Sequence, residues 1–211
     1  MDTTYFGKKH GIMLFKDAYT KQNLYWKYVK HETVTDYVAG INYLKDQGLQ
    51  IKAIVCDGKR GLLQAFNEIP VQMCHFHQVA IVTRYITRKP RMQASKELKE
   101  IIHLLVQTDK ESFEGAINDW YVKWHDFLNE RNICPQTGRT RYIHKRLRSA
   151  YKSIIRNMPW LFTFYDHIDL RIPNTTNDLE GTFTALKNLL RNHNGLNWKN
   201  KLKFINEFFK P

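Results

Sequence analysis

Cysteine is scarce in this sequence: Cys56, Cys74 and Cys134 are the three residues among 211 positions. An odd number at wide spacing makes no disulfide framework and points to a reducing compartment, the cytosol. Long apolar runs are missing too. None reaches the roughly 18 residues that a bilayer-spanning helix needs, and no signal peptide opens the chain. There is no internal repeat and no low-complexity tract, so repeat architectures and linker-like segments are excluded. Acidic side chains are the remaining deficit: 20 Asp and Glu stand against 33 Lys and Arg, a net charge of +13. Such an excess either solubilises the surface or attracts a polyanion. Nucleic acid comes ahead of a membrane, because no basic amphipathic helix with a clean apolar face begins the chain. Charge alone does not separate DNA from RNA.

What is present is enough to fold. A hydrophobic share of 43% with 13% aromatics supports one good core, or one core and a subsidiary lobe. Thr3 to Phe6 and Ile12 to Phe15 flank a Gly7-Lys8-Lys9-His10-Gly11 turn, and Leu24 to Val29 alternates, so three strands are expected. Val34, Tyr37, Val38, Ile41 and Leu44 share one helical face, with Thr33 or Thr35 placed to cap it and Gly48 to stop it. Ile51 to Cys56 reads as a doubly covered strand, Gly61 to Ile69 as a short helix, and Val71 to Phe76 as another strand. That order predicts a mixed sheet, antiparallel first and parallel later through helical crossovers.

From about Arg84 to Tyr165 the period is helical. Leu98, Ile101, Ile102 and Leu105 form one stripe. Phe113, Ile117, Trp120, Trp124, Phe127 and Leu128 form a second, and Ile143, Leu147, Tyr151, Ile154 and Met158 a third. Cys134-Pro135-Gln136-Thr137-Gly138 is the expected turn between the last two. The expected organisation is a sheet domain over residues 1–83, an all-helical insertion over 84–165, and closing helices over 166–211.

Three acids could carry chemistry. Asp57 follows a buried strand and precedes Gly58, at the carboxyl edge where open α/β sheets place ligands; it could equally start a turn or cap a helix. Asp2 precedes the hairpin, with Asp17 as its rival at the far end of the second strand. Glu180 shares a helix face with Thr184, Lys187 and Arg191, while Leu179, Phe183, Leu186 and Leu190 face the core. A carboxylate followed by cations suits a metal with flanking phosphates, yet a solvated polar face has the same pattern. Asn174, Thr175, Thr176 and Asn177 supply a cap in either case. Two carboxylates at strand ends and one on a helix can converge on hard divalent cations. Cys74, His75 and His77 offer too few ligands for structural zinc unless Cys56 or Cys134 completes the set. A satisfied strand-end histidine, or one orienting a carboxylate or phosphate, is the alternative.

In order, DTTYFG with a hydrophobic second strand, IVCDGKRGL, CHFHQV with its Cys-x-x-His spacing, and TTNDLEGTFTALKNLLRNHNGL resemble the blocks of DDE transposases of bacterial insertion sequences, in the broad Mutator-like group. The resemblance spans essentially the whole chain. It implies a ribonuclease-H-like α/β domain, with a mixed sheet flanked by helices and interrupted by the helical insertion. It implies that Asp2, Asp57 and Glu180 bind two Mg²⁺ ions, with Mn²⁺ as a substitute, for cleavage and strand transfer at transposon ends. Cys74 and His77 are implied to lie near the metals, and Lys187 and Arg191 to contact the DNA backbone. The implied partners are double-stranded DNA, at transposon ends and target, and a second copy of the chain when active. The implied setting is the bacterial cytoplasm at the nucleoid.

Members of this group carry a substantial segment before the first aspartate, whereas this chain begins one residue before it, so an N-terminally truncated copy is expected. The competing expectations are a catalytically inactive DNA-binding remnant, which binds in a salt-sensitive way without cleaving, and a ribonuclease-H-like nuclease serving the host.

Overall fold

The computed structural model describes every residue except Lys8, Lys9, Cys134 and Pro211. In chain order the elements are β1 (Asp2–Phe6), β2 (His10–Lys16), β3 (Asn23–Val29), α1 (Val34–Asp46), β4 (Ile54–Cys56), β5 (Val71–Met73), α2 (His75–Ile86), α3 (Gln93–Leu104) and α4 (Lys110–Asn129). There follow β6 (Arg131–Ile133), β7 (Thr140–Tyr142), α5 (Lys145–Leu161), α6 (Thr163–Asp166), a single 3₁₀ turn (Ile168–Leu170), α7 (Asn177–Asn192) and α8 (Trp198–Phe209). The fold is mixed α/β, with two compact units: Met1–Gln72 with Thr163–Pro211, and Met73–Phe162.

In the first unit, β1, β2 and β3 form an antiparallel sheet in that order. Lys8 and Lys9 of the expected turn between β1 and β2 lie outside the described residues. Ile12, Met13, Leu14 and Phe15 of β2 are all buried, so the strand is covered on both faces. Ile12 and Leu14 pack with Leu179, Phe183, Leu186 and Leu190 of α7 and with Ile205 and Phe209 of α8. On the opposite face, α1 lies so close that a Cβ on Gly40 would sit 2.2 Å from the Phe15 ring. Strand alternation sends neighbours to opposite faces, and here both faces carry helices. Thr33 caps α1 by accepting the Asp36 N–H, and Gly48 at φ +84° follows its end, as the sequence predicts.

Beyond the hairpin the expectations need correction. The strand expected over Ile51 to Cys56 is only Ile54–Cys56, because the ladder extends no further than its three-residue partner β5. The helix expected over Gly61 to Ile69 is a series of turns, with Leu62 N–H on Lys59 O and Ala65 N–H on Leu62 O. Gly61 enters it at φ +83° and Pro70 stops it, which leaves too short a stretch for a helix to propagate. Met1 donates its N-terminal amine to Val55 O at 2.8 Å, which sets the start of β1 beside β4. However, β4 and β5 pair in a two-stranded sheet of their own and not in one mixed sheet with β1–β3 as expected. On the return, Thr163 Oγ1 donates to Val71 O at 2.7 Å and Phe164 N–H to Gln72 Oε1 at 3.2 Å.

The second unit is mostly helical. The strand expected over Val71 to Phe76 ends at Met73, and α2 starts at His75. His75, Gln78, Val82 and Ile86 are its buried residues, a helical spacing that the apolar run ahead of them conceals. The stripes on α3 and α4 bury Leu98, Ile102, Phe113, Ile117, Trp120 and Leu128. The third stripe differs at its start: Ile143 is exposed and precedes α5, whose buried face is Leu147, Ala150, Ser153, Ile154, Asn157 and Leu161. Nor is this region all-helical. β6 and β7 pair as an antiparallel hairpin, Arg131 opposite Tyr142, around the expected turn, whose Cys134 is outside the described residues. Arg131 Nη2 donates to Tyr142 Oη at 2.8 Å, and the Arg148 guanidinium lies 3.7 Å from the Tyr142 ring centre.

Candidate active site

Register places Asp2. It pairs with Leu14, and residues directly opposite in an antiparallel pair project to the same face. Leu14 belongs to the α7–α8 core, so Asp2 is on the face that α7 covers. Thr3, one residue on, pairs with Met13 and projects toward α1. Its backbone N–H donates to Asp2 Oδ1 at 2.7 Å.

Asp57 follows β4 directly and its Oδ1 accepts the Lys59 N–H at 3.1 Å. The Met1–Val55 hydrogen bond sets β4 alongside the start of β1, which brings the loop of Asp57 beside Asp2 and Thr3. Tyr37 on α1 registers both acids. Burial holds its phenol far above the usual range, and the charges of Glu32, Asp2 and Asp57 push it further. Asp2 and Asp57 thus both lie within electrostatic reach of Tyr37.

Glu180 is exposed in the first turn of α7. Its N–H and that of Leu179 donate to Thr176 O, with Thr176 at the N-cap position. The turn is tied to the end of β2 by Lys16 Nζ donating to Thr182 Oγ1 at 2.7 Å and by the Lys21–Asp178 ion pair. The Glu180 end of α7 thus lies over the Leu14 end of the sheet, on the Asp2 face. Glu180 itself makes no ion pair with a described residue, and among the described residues no group of three or more His, Cys, Asp or Glu side chains is arranged to hold a metal ion. A cleft of about 850 Å³ in the same unit is lined by Met1, Lys16, Ile51, Val55, Ile172 and Asp178 among others, and none of the three acids lines it.

Lys187, further along α7 than Glu180, has its Nζ 6.0 Å from the Phe6 ring centre, toward the opposite end of β1 from Asp2. Arg191 is exposed, with Nη1 on Asn188 Oδ1 at 3.4 Å. Cys74 is buried at the N-cap position of α2 and His77 lies in its first turn, in the second unit. The strand-end histidine reading is thereby corrected. His75 is fully buried, its Nε2 on Leu161 O at 2.6 Å.

Sequence reading overlooks two polar residues here, Glu32 and the hydroxyl of Tyr37. Tyr37 Oη donates to Glu32 Oε1 at 2.8 Å, so the Thr3 hydroxyl, 2.9 Å away, is left to donate to Tyr37. Tyr5 Oη accepts the Glu32 N–H at 2.8 Å, and Lys59 Nζ is 3.8 Å from Glu32 Oε2. Tyr37 looks like one more apolar-face residue of α1, and its partners lie on β1 and before the helix, out of reach of local periodicity.

The family model described as "Transposase, Mutator family" matches residues 20–183. The chain belongs to the Mutator family of transposases. Transposases act on DNA, so DNA is the partner, and the family's work is transposition. Asp57 and Glu180 fall inside the matched stretch, and Asp2 lies ahead of it. No curated protein matches the chain. Among the described residues no helix is long and apolar enough to cross a membrane.

Proposed function

We propose that this Mutator-family chain is the ribonuclease-H-like catalytic domain of a DDE transposase of a bacterial insertion sequence, with Asp2, Asp57 and Glu180 as its acids. The observation carrying this reading is the juxtaposition at one end of a sheet. Asp2 opens β1 and Asp57 follows β4, whose Val55 O accepts from the Met1 amine, and both charges reach Tyr37; α7 brings the first turn that bears Glu180 over the face to which Asp2 projects. Carboxylate oxygens suit hard divalent cations. When bound, a pair of Mg²⁺ ions, or Mn²⁺ in their place, supplies activation of the attacking oxygen and stabilisation of the leaving one. The chain's own part is to hold that donor set. Asp2 and Asp57 are fixed by backbone N–H groups, while the exposed Glu180 is the acid that turns in to complete it. Lys187 and Arg191, on the same helix, are assigned to the DNA backbone.

The test is a DNA duplex carrying the insertion-sequence ends, incubated with the chain and Mg²⁺ or Mn²⁺. Nicked or joined product is expected, and Asp57→Ala and Glu180→Ala each reduce it to background. Product that survives both substitutions undiminished overturns the assignment. A second reading, an inactive DNA-binding remnant, is favoured by the absence, among the described residues, of a ready-made group of three metal-holding side chains. It predicts salt-sensitive binding of the same duplex without metal-dependent product.

A further inference from the structure

The two acids are also linked by a chain of hydrogen bonds and one ion pair that passes through Tyr37 of α1. Asp2 Oδ1 accepts from Thr3 N–H, and the Thr3 hydroxyl meets Tyr37 Oη. Tyr37 donates to Glu32, Glu32 faces Lys59 Nζ, and Lys59 N–H donates to Asp57 Oδ1. The residues whose main-chain amides grip the acids are the ones whose side chains the bridge ties together. We infer that Thr3, Tyr37, Glu32 and Lys59 form a positioning bridge that sets the spacing of Asp2 and Asp57 for cation binding.

A hydroxyl buried only for packing needs no such circuit. In the second unit the buried Trp120 indole is satisfied by one backbone carbonyl, Ala94 O at 2.9 Å. Here instead three carboxylates, Glu32, Asp2 and Asp57, all act on one buried phenol, and Glu32 is met by the Tyr37 hydroxyl and by Lys59. The Tyr5 hydroxyl on the Glu32 N–H fixes the backbone of that carboxylate from β1, so both ends of the bridge are referenced to the strand that carries Asp2. Tyr37 is immobilised by full burial and by an edge contact with Phe15, ring centres 6.1 Å apart. None of the four residues needs to touch the cation. Groups that orient metal-holding side chains typically change metal affinity by about 10–100-fold when removed.

This inference rests on the proposed role of Asp2 and Asp57, and its test separates the two. The full chain is titrated with Mn²⁺ alone, free ion being followed by electron paramagnetic resonance, with thermal melting as the check on folding. Asp57→Asn defines the site: binding that it abolishes is binding at the acids. Tyr37→Phe keeps the ring and cuts the bridge at its centre, and it is expected to weaken that binding by about tenfold. Glu32→Ala falls similarly, whereas Glu32→Gln, which still accepts from Tyr37, recovers part of the loss. Thr3→Val cuts the next link, and combined with Tyr37→Phe it adds little, because one interrupted chain is not interrupted twice. Should Tyr37→Phe not fold, Thr3→Val and the two Glu32 variants carry the same reading. Asp57-dependent binding unchanged in all the bridge variants, with only the melting temperature moved, overturns the bridge and leaves the acids standing. Absence of any Asp57-dependent binding overturns both.

Discussion

The two units each bury a polar network, and the networks are made of opposite materials. In the second unit the helices α2 and α5 are joined by neutral groups. Asn157 Nδ2 donates to Gln78 Oε1 at 2.8 Å, Gln78 Nε2 to Ser153 Oγ at 3.3 Å, and Ser153 Oγ to Ala150 O at 2.7 Å. In the first unit the network around Tyr37 runs through a carboxylate and an ammonium and ends on two further carboxylates. Neutral buried amides fix how helices mesh and cost little once every group is paired. Buried or half-buried charges are expensive, and breaking one partner is costly. A fold that keeps charge at the end of one sheet, while using amides for the same structural task elsewhere, separates a site from its scaffold.

The sharpest way to break the contrast leaves every polar group in place. Gly40→Val would drive a side chain into the Phe15 ring, which a Cβ alone would meet at 2.2 Å, and Phe15 is buried. Overpacking of this kind costs about 3 kcal/mol, read as a lowered urea midpoint. Lifting α1 also carries Tyr37, one turn earlier, away from Thr3, so Mn²⁺ binding at Asp57 falls with stability. Asn157→Leu should cost nearly as much, about 2 kcal/mol, because Gln78 Oε1 loses its buried donor. Here the outcome differs in kind: the urea midpoint falls and Mn²⁺ binding does not. A loss of cation binding in Asn157→Leu would erase the distinction between the two networks.

Much of the frame was legible because local patterns suffice for it. The strand over Leu24 to Val29, the Thr33 cap and the face of Leu179, Phe183, Leu186 and Leu190 each depend on neighbours within a few positions, and each appears as expected, although β3 is half-buried along most of its length and does not alternate in burial. The residues after β4 show where that stops. Leu62, Leu63, Phe66 and Ile69 are buried at spacings that mimic a helix, yet the chain turns repeatedly between Gly61 and Pro70. The run VQMCHF looked like strand throughout, because its apolar content hides the change from a two-residue to a helical period at His75. Of the site, the acids could be named from their positions at element ends. Glu32 and Tyr37 could not, since what distinguishes them is a set of partners on β1 and after β4 that no sequence window contains.

The smallest expected effect tests, by pH, whether the interior of the second unit excludes charge. His75 is buried in α2 and donates through Nε2 to Leu161 O, and burial pushes its pKa below the ordinary histidine value, partly opposed by that hydrogen bond. A histidine held neutral in the folded state binds fewer protons there than in the unfolded chain wherever the pH is near or below about 6.5. Its contribution to stability is therefore complete above that value and is lost as pH falls toward the lowered folded value. One such group can remove at most about 1.4 kcal/mol at pH 5.5, one unit below the unfolded value. Urea midpoints at pH 7.5 and 5.5 should differ in that direction, and His75→Gln, which keeps a donor for Leu161 O, should shrink the difference. A pH slope untouched by His75→Gln would mean that the imidazole protonates without penalty, and the interior of the second unit would then tolerate the kind of charge that the contrast reserves for the first.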